Sequence, residues 1–353
     1  MEKKHLHAET CYSPLISVIF LTFFFLLSEP LPLQAQTSVC SDCHTMHNSQ
    51  DGAPVATDIE GNPLFDPYSI LLTSSCVGCH SNDSSATITS ISLINTPVVN
   101  NLSEPLGALA GGNFFHLNAD DSYGHNVFLS NPDDLLGTDP PGGAFPEGGL
   151  YKGQLRCAGT RGCHGLNGGH AETPVDDPLY SVYGAHHGNV SPTDGSTVGK
   201  SYRFLYGIVG KEDDDWEQDN INTSHNEYKG SPSFDETTTI NFFCAECHGD
   251  YHGSSGVGDD SPWLRHPTDV ILPAGSTEYA QYTAYSMLAP VARADPFNVQ
   301  DTTKAEPGAD IVMCLSCHRA HASPYYKLMR WDFKSPDIAT ALSGCGVCHT
   351  SKN

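Results

Sequence analysis

Six times along this chain a pair of cysteines is closed by a histidine: Cys40-Ser-Asp-Cys43-His44, Cys76-Val-Gly-Cys79-His80, Cys157-(five residues)-Cys163-His164, Cys244-Ala-Glu-Cys247-His248, Cys314-Leu-Ser-Cys317-His318 and Cys345-Gly-Val-Cys348-His349. Each pair of thiols can add to the two vinyl groups of one haem, while the adjoining imidazole binds the iron from one side. Twelve of the 13 cysteines lie in these motifs, which leaves no pair for a structural disulfide. A zinc cage or a redox dithiol is the competing reading of one such pair, but every pair here carries its adjacent His and none assembles a four-cysteine set. The third motif departs from the two-residue spacing, and its longer loop must bulge to bring Cys157 and Cys163 to the same macrocycle. A local disulfide is the alternative there.

Six macrocycles on so short a chain dictate the fold class. Residues 36–353 amount to about 53 per haem, so the cofactors themselves must form most of the core. Gly (33) and Pro (24) are abundant and charged residues make up only 16%, which disfavours long helices. The expected fold is mostly irregular, with short helices and a few short strands wrapped around a chain of six c-type haems. No composition break marks a linker, so residues 36–353 read as a single elongated domain. Asp66–Leu72 and Glu278–Leu288 carry helical periodicity, and Ser201–Val209 and Thr237–Phe243 read as strands. The acidic run Lys211–Glu217 lacks calcium-loop spacing and reads as a solvated loop.

Residues 1–35 have the form of a secretory signal: Lys3 and Lys4, an apolar run from Leu15 to Leu27, and Leu33-Gln34-Ala35 as a cleavage site. That run is shorter than the roughly 20 residues of a membrane span, and no later stretch approaches it. Cys11 precedes the run, whereas a lipid-bearing cysteine would follow it. Covalent haem addition occurs after export, so the expected location is extracellular or outer-surface, alternatively periplasmic. Beyond residue 35 there are 15 basic and 38 acidic residues, a net charge of −23. Such a chain has no basic patch for nucleic acid, and its acidity attracts cations, including metal ions.

Ten further histidines follow the signal: His47, His116, His125, His170, His186, His187, His225, His252, His266 and His321. They exceed the six needed to give every iron a second imidazole. Bis-His ligation makes iron six-coordinate and low in potential, which suits electron transfer and leaves no position for substrate. The favoured distal ligands are His47, His125, one of His186 and His187, His252, His266 and His321, with His116, His170 and His225 in reserve. Met46, Met287, Met313 and Met329 are the alternative ligand type. No CxxCK motif of the kind found in multihaem nitrite reductases occurs. The chain therefore reads as a non-enzymatic electron conduit, with a monomeric periplasmic carrier and a multihaem oxyanion reductase as competing readings.

Four segments carry a family resemblance: Cys40-Ser-Asp-Cys43-His44-Thr-Met-His47-Asn48, Gly124-His-Asn-Val127, Leu264-Arg-His-Pro267 and Cys314-Leu-Ser-Cys317-His318-Arg-Ala-His321-Ala322. With the number and order of motifs, they make the chain resemble the OmcS-type hexahaem outer-surface cytochromes of metal-reducing bacteria. The resemblance implies six bis-His haems stacked through a homopolymeric filament that delivers electrons to extracellular metal acceptors and exchanges them with other periplasmic or outer-membrane cytochromes. It also implies that the residue matching His47 ligates a haem of the adjacent subunit. His47 stands three residues after His44, too close to reach the opposite face of the same iron, so it should serve another haem. The third motif and Ala185-His186-His187-Gly188 depart from the family pattern and resemble other doubled-motif cytochromes.

Overall fold

The structure is a computed structural model and describes residues 41, 43–57, 62–66, 71–91, 94–127, 155–158, 162–165, 205, 207–213, 215–218, 222–233, 235–252, 266–275 and 278–351. Cys40, His170, His186 and His187 lie outside the described residues, as do residues 67–70 of Asp66–Leu72 and residues 201–204 and 206 of Ser201–Val209.

Regular structure is sparse and local. The ordered elements are α1 (Cys76–His80), β1 (Ser81–Asn82), β2 (Ile88–Ile91), β3 (Ile94–Pro97), β4 (Asn100–Asn101), β5 (Arg156–Ala158), β6 (Gly162–His164), β7 (Gly210–Lys211), β8 (Glu227–Tyr228), α2 (Ile240–His248), β9 (Val270–Ile271), β10 (Ile311–Val312), α3 (Ile338–Ala341) and α4 (Ser343–Cys348). Among the described residues strands pair only in twos: β2–β3, β7–β8 and β9–β10 are antiparallel, while β1–β4 and β5–β6 are parallel. The helices largely coincide with attachment motifs. In α1 the Ser75 side chain caps the Gly78 amide, and one helical turn then carries both thiols and His80.

Two expectations fail here. Thr237–Phe243 is not a strand: Thr239 accepts the Phe242 amide at 3.1 Å and starts α2 at Ile240, so local capping overrides β-propensity. Glu278–Leu288 is not a helix: Tyr285 and Ala305 instead donate across to Thr303 and Thr283, and turns deliver Tyr282, Tyr285 and Met287 into the core. The Lys211–Glu217 run is only partly a solvated loop, because Glu217 is buried and accepts the Asn226 amide at 2.9 Å.

Apolar packing falls into two clusters. One gathers Leu205, Ile208, Tyr228, Ile240, Ile311 and Met313 beneath the third to fifth motifs. The other gathers Leu272, Tyr282, Tyr285, Met287 and Val291 beneath the sixth, with Val347 and Cys348 against it. Met287 and Met313 are thus core residues.

Candidate functional site: paired imidazoles along a line of thiols

Consecutive motifs meet through their cysteines. Burial and then Cys43 raise the Cys79 thiol. The hydrogen bond with Cys76 raises Cys157, and that with Cys244 raises Cys314. Burial and then Cys163 raise Cys247, while burial and then Cys345 hold Cys317 at about 12. Each neighbour belongs to the motif just before or just after in the chain, so the attachment sites follow one another in space in their order of sequence. No disulfide joins Cys157 and Cys163. Strands β5 and β6 pair Arg156 with Gly162 and Ala158 with His164, which sets Cys157 level with Cys163 despite the long spacing.

The decisive geometry lies in the histidines. His125 faces His248 with ring centroids 6.0 Å apart, His321 faces His164 at 6.0 Å, and His266 faces His349 at 6.1 Å. In each pair one ring follows a Cys-Cys motif and the other comes from the free set. An iron held about 2 Å from each of two imidazole nitrogens separates the ring centroids by roughly 6 Å. The residues therefore fit a bis-His haem iron at three positions.

Hydrogen bonds set the rings for that role. Nδ1 of His80 lies 2.8 Å from Pro97 O, that of His318 2.8 Å from Lys327 O, that of His125 2.7 Å from Ala320 O and that of His266 3.0 Å from Pro267 O. A proton donated from Nδ1 leaves Nε2 with the ligating lone pair, the arrangement metal-bound histidines require. Burial lowers the pKa of His80 and His125, which keeps the ligand form neutral.

Two strands of chain clasp the centre. His321 donates its amide to Gly111 O at 2.7 Å, His125 to His321 O at 2.9 Å, and Ser323 to Tyr123 O at 3.0 Å. The Arg319 guanidinium adds a bond to Leu109 O at 2.8 Å. Phe114 stacks on the His321 ring at 4.8 Å. Gly111 has to be glycine there, since a Cβ would stand 2.9 Å from His321 Nδ1.

The remaining histidines differ. His225 points both nitrogens at carbonyls, Asn226 O and Thr302 O, each at 2.9 Å, and stacks on Tyr285 at 3.6 Å. Neither nitrogen is directed as a ligand, so it is a core residue. His252 is buried with Nε2 2.9 Å from the Asp269 carboxylate, an arrangement unlike that of the three pairs. His116 is half-buried beside Phe115. His47 is exposed, at the tip of a loop fixed by Asn48, whose side chain accepts from Ala56 N at 2.7 Å and donates to Leu64 O at 2.7 Å. His318 is also exposed, and among the described residues no imidazole faces either ring.

The doubled CXXCH motif family matches residues 307–353, the span of the fifth and sixth motifs. The C-type cytochrome OmcS of Geobacter sulfurreducens is 27% identical to this chain over 89% of its length, and 83% of OmcS is covered. The chain is similar to the OmcS-type multihaem c-type cytochromes over most of its length. The subunit of the outer membrane cytochrome S filament from Geobacter sulfurreducens superposes with a TM-score of 0.56, at 20% identity, over 91% of this chain and all of that one. It shares the largely irregular fold. The CXXCH motifs and the likeness to OmcS indicate covalently bound haem c as the cofactor, and among the described residues no helix is long and apolar enough to cross a membrane.

What sequence reading missed is the pairing itself and its supports. Gly111, Phe114 and Glu278 carry no motif; only the Gly-Gly step before Asn113 hinted that backbone and ring come close there.

Proposed function

We propose that the chain is an exported, non-catalytic electron conduit that holds six bis-His haems and polymerises with copies of itself, passing electrons from periplasmic or outer-membrane cytochromes to extracellular acceptors such as metal oxides. When bound, haem supplies a one-electron iron couple; the chain supplies ligands, spacing and exclusion of water. The paired imidazoles leave no axial position for a substrate at the three sites they frame.

One observation carries the polymer. His47 is an exposed imidazole with no ring opposite it, and His318 is an exposed proximal imidazole with no ring opposite it, among the described residues. His47 of one subunit ligates the fifth haem of its neighbour, so that a coordinate bond fixes the register between subunits. The remaining distal positions fall to His186 or His187, with His252 and the reserves His116 and His170 behind them. Leu15–Leu27 directs export and residues 36–353 form the mature domain.

His47→Ala tests this. Each protomer should keep all its covalent haem, while electron microscopy of the secreted protein shows no filaments and one iron per subunit loses its low-spin signal. His225→Ala, the control, should change neither. Filaments that persist in the His47 variant with every iron low-spin would overturn the joint.

A further inference from the structure

We propose that Glu278 tunes the sixth haem, lowering its reduction potential by accepting a hydrogen bond from the proximal His349. The inference rests on the reading of His349 as an axial ligand. His349 Nδ1 lies 2.6 Å from Glu278 Oε1. His80, His125, His266 and His318 direct the same nitrogen at neutral backbone carbonyls instead. A carboxylate acceptor makes a shorter bond, roughly twice as strong as a neutral one, and draws the Nδ1 proton away from the ring. The ring then gives more electron density through Nε2, which favours ferric over ferrous iron. The negative charge acts in the same direction.

The contact is held in place by more than the carboxylate. Thr350 donates both its amide, at 2.7 Å, and its hydroxyl, at 2.8 Å, to the Glu278 carbonyl. Tyr279 packs against the His349 ring with centroids 5.2 Å apart. Both partners are about three-quarters shielded, the side chains being 27% and 26% exposed, so water competes only in part. Because the backbone tether does not involve the carboxylate, Glu278→Gln keeps an oxygen in position and removes the charge alone. This makes Glu278 a positioning and tuning residue whose effect is separable from folding.

The test is a spectroelectrochemical titration of the mature holoprotein against Glu278→Gln, with covalent haem counted by intact mass. One of the resolved components should rise by about 59 mV, the one-electron equivalent of a tenfold change in the oxidised-to-reduced ratio, and the others should stay in place. In the wild type, electron paramagnetic resonance should show one low-spin ferric component with imidazolate-like character, which joins the neutral bis-imidazole signals in the variant. Unmoved potentials with all haems present overturn the role of Glu278 alone. Loss of a haem or of low-spin iron in the variant makes Glu278 a brace and overturns it too. A wild-type peptide carrying Cys345 and Cys348 without haem overturns the haem reading and the inference together.

Discussion

The imidazoles of His164 and His321 stand 6.0 Å apart although they come from the third motif and from the segment after the fifth. That separation leaves room for an iron between them, and on the proposed reading one cofactor couples two distant parts of the chain. His321→Ala should leave the covalent haem count unchanged, because Cys157 and Cys163 hold the macrocycle. One iron per subunit should become five-coordinate or water-ligated, visible as a high-spin signal in the oxidised protein.

Gly111→Val should give a milder form of the same defect. The added Cβ meets the His321 ring at 2.9 Å, and Phe114 blocks retreat on the stacking side. Magnetic circular dichroism should show a mixture of low- and high-spin iron at one site, with the other sites unchanged.

Asn48→Ala should weaken assembly without touching a ligand. Asn48 is buried, adopts φ 49°, and joins Val55, Ala56 and Leu64 through its side chain. Removing it strands buried backbone groups at a cost of about 1–3 kcal/mol and frees the loop that presents His47. The protein concentration at which filaments form should rise, while the monomer's haem count and spectra stay as in the wild type.

Arg293 holds two buried carboxylates, Glu227 at 3.2 Å and Asp310 by a direct ion pair. Burial raises both carboxyls even against the pull of Arg293. A carboxyl raised in the folded state contributes its full stability below its ordinary range and loses that contribution as pH rises through the raised value. Arg293→Met removes the counter-charge and should cost about 3–5 kcal/mol near neutrality. The deficit should be smaller at pH 5 than at pH 8, because the stranded carboxyls protonate. Urea unfolding of both proteins at the two pH values, followed in the haem absorbance, measures it.

The attachment chemistry was legible in the sequence because it is local: two cysteines and a histidine report a haem whatever surrounds them. The irregular fold was legible for the same reason, since short segments between cofactors cannot build long elements. His125 with His248, and His266 with His349, were not legible as pairs. The place of His125 depends on a clasp between residues near 111–125 and 319–323, made of backbone bonds that any sequence can form, and His266 and His349 come from segments far apart in the chain. Helical spacing of Tyr279, Tyr282 and Leu288 misled because turns can deliver aromatics to one core as well as a helix can. Thr237–Phe243 misled because one capping hydroxyl outweighed the β-branched residues around it. His225 belongs with neither group: its identity as a packing residue rests on two carbonyls, Asn226 O and Thr302 O, that only the fold brings to it.

The central claim is that all six cysteine pairs hold haem in one continuous series, including the pair with the long spacing. Intact mass of the mature, denatured protein tests it most directly. Six covalent haems on a chain beginning near Gln36 is the predicted result. Five haems, with Cys157 and Cys163 present as thiols or as a disulfide, would break the series at its third position and contradict the account.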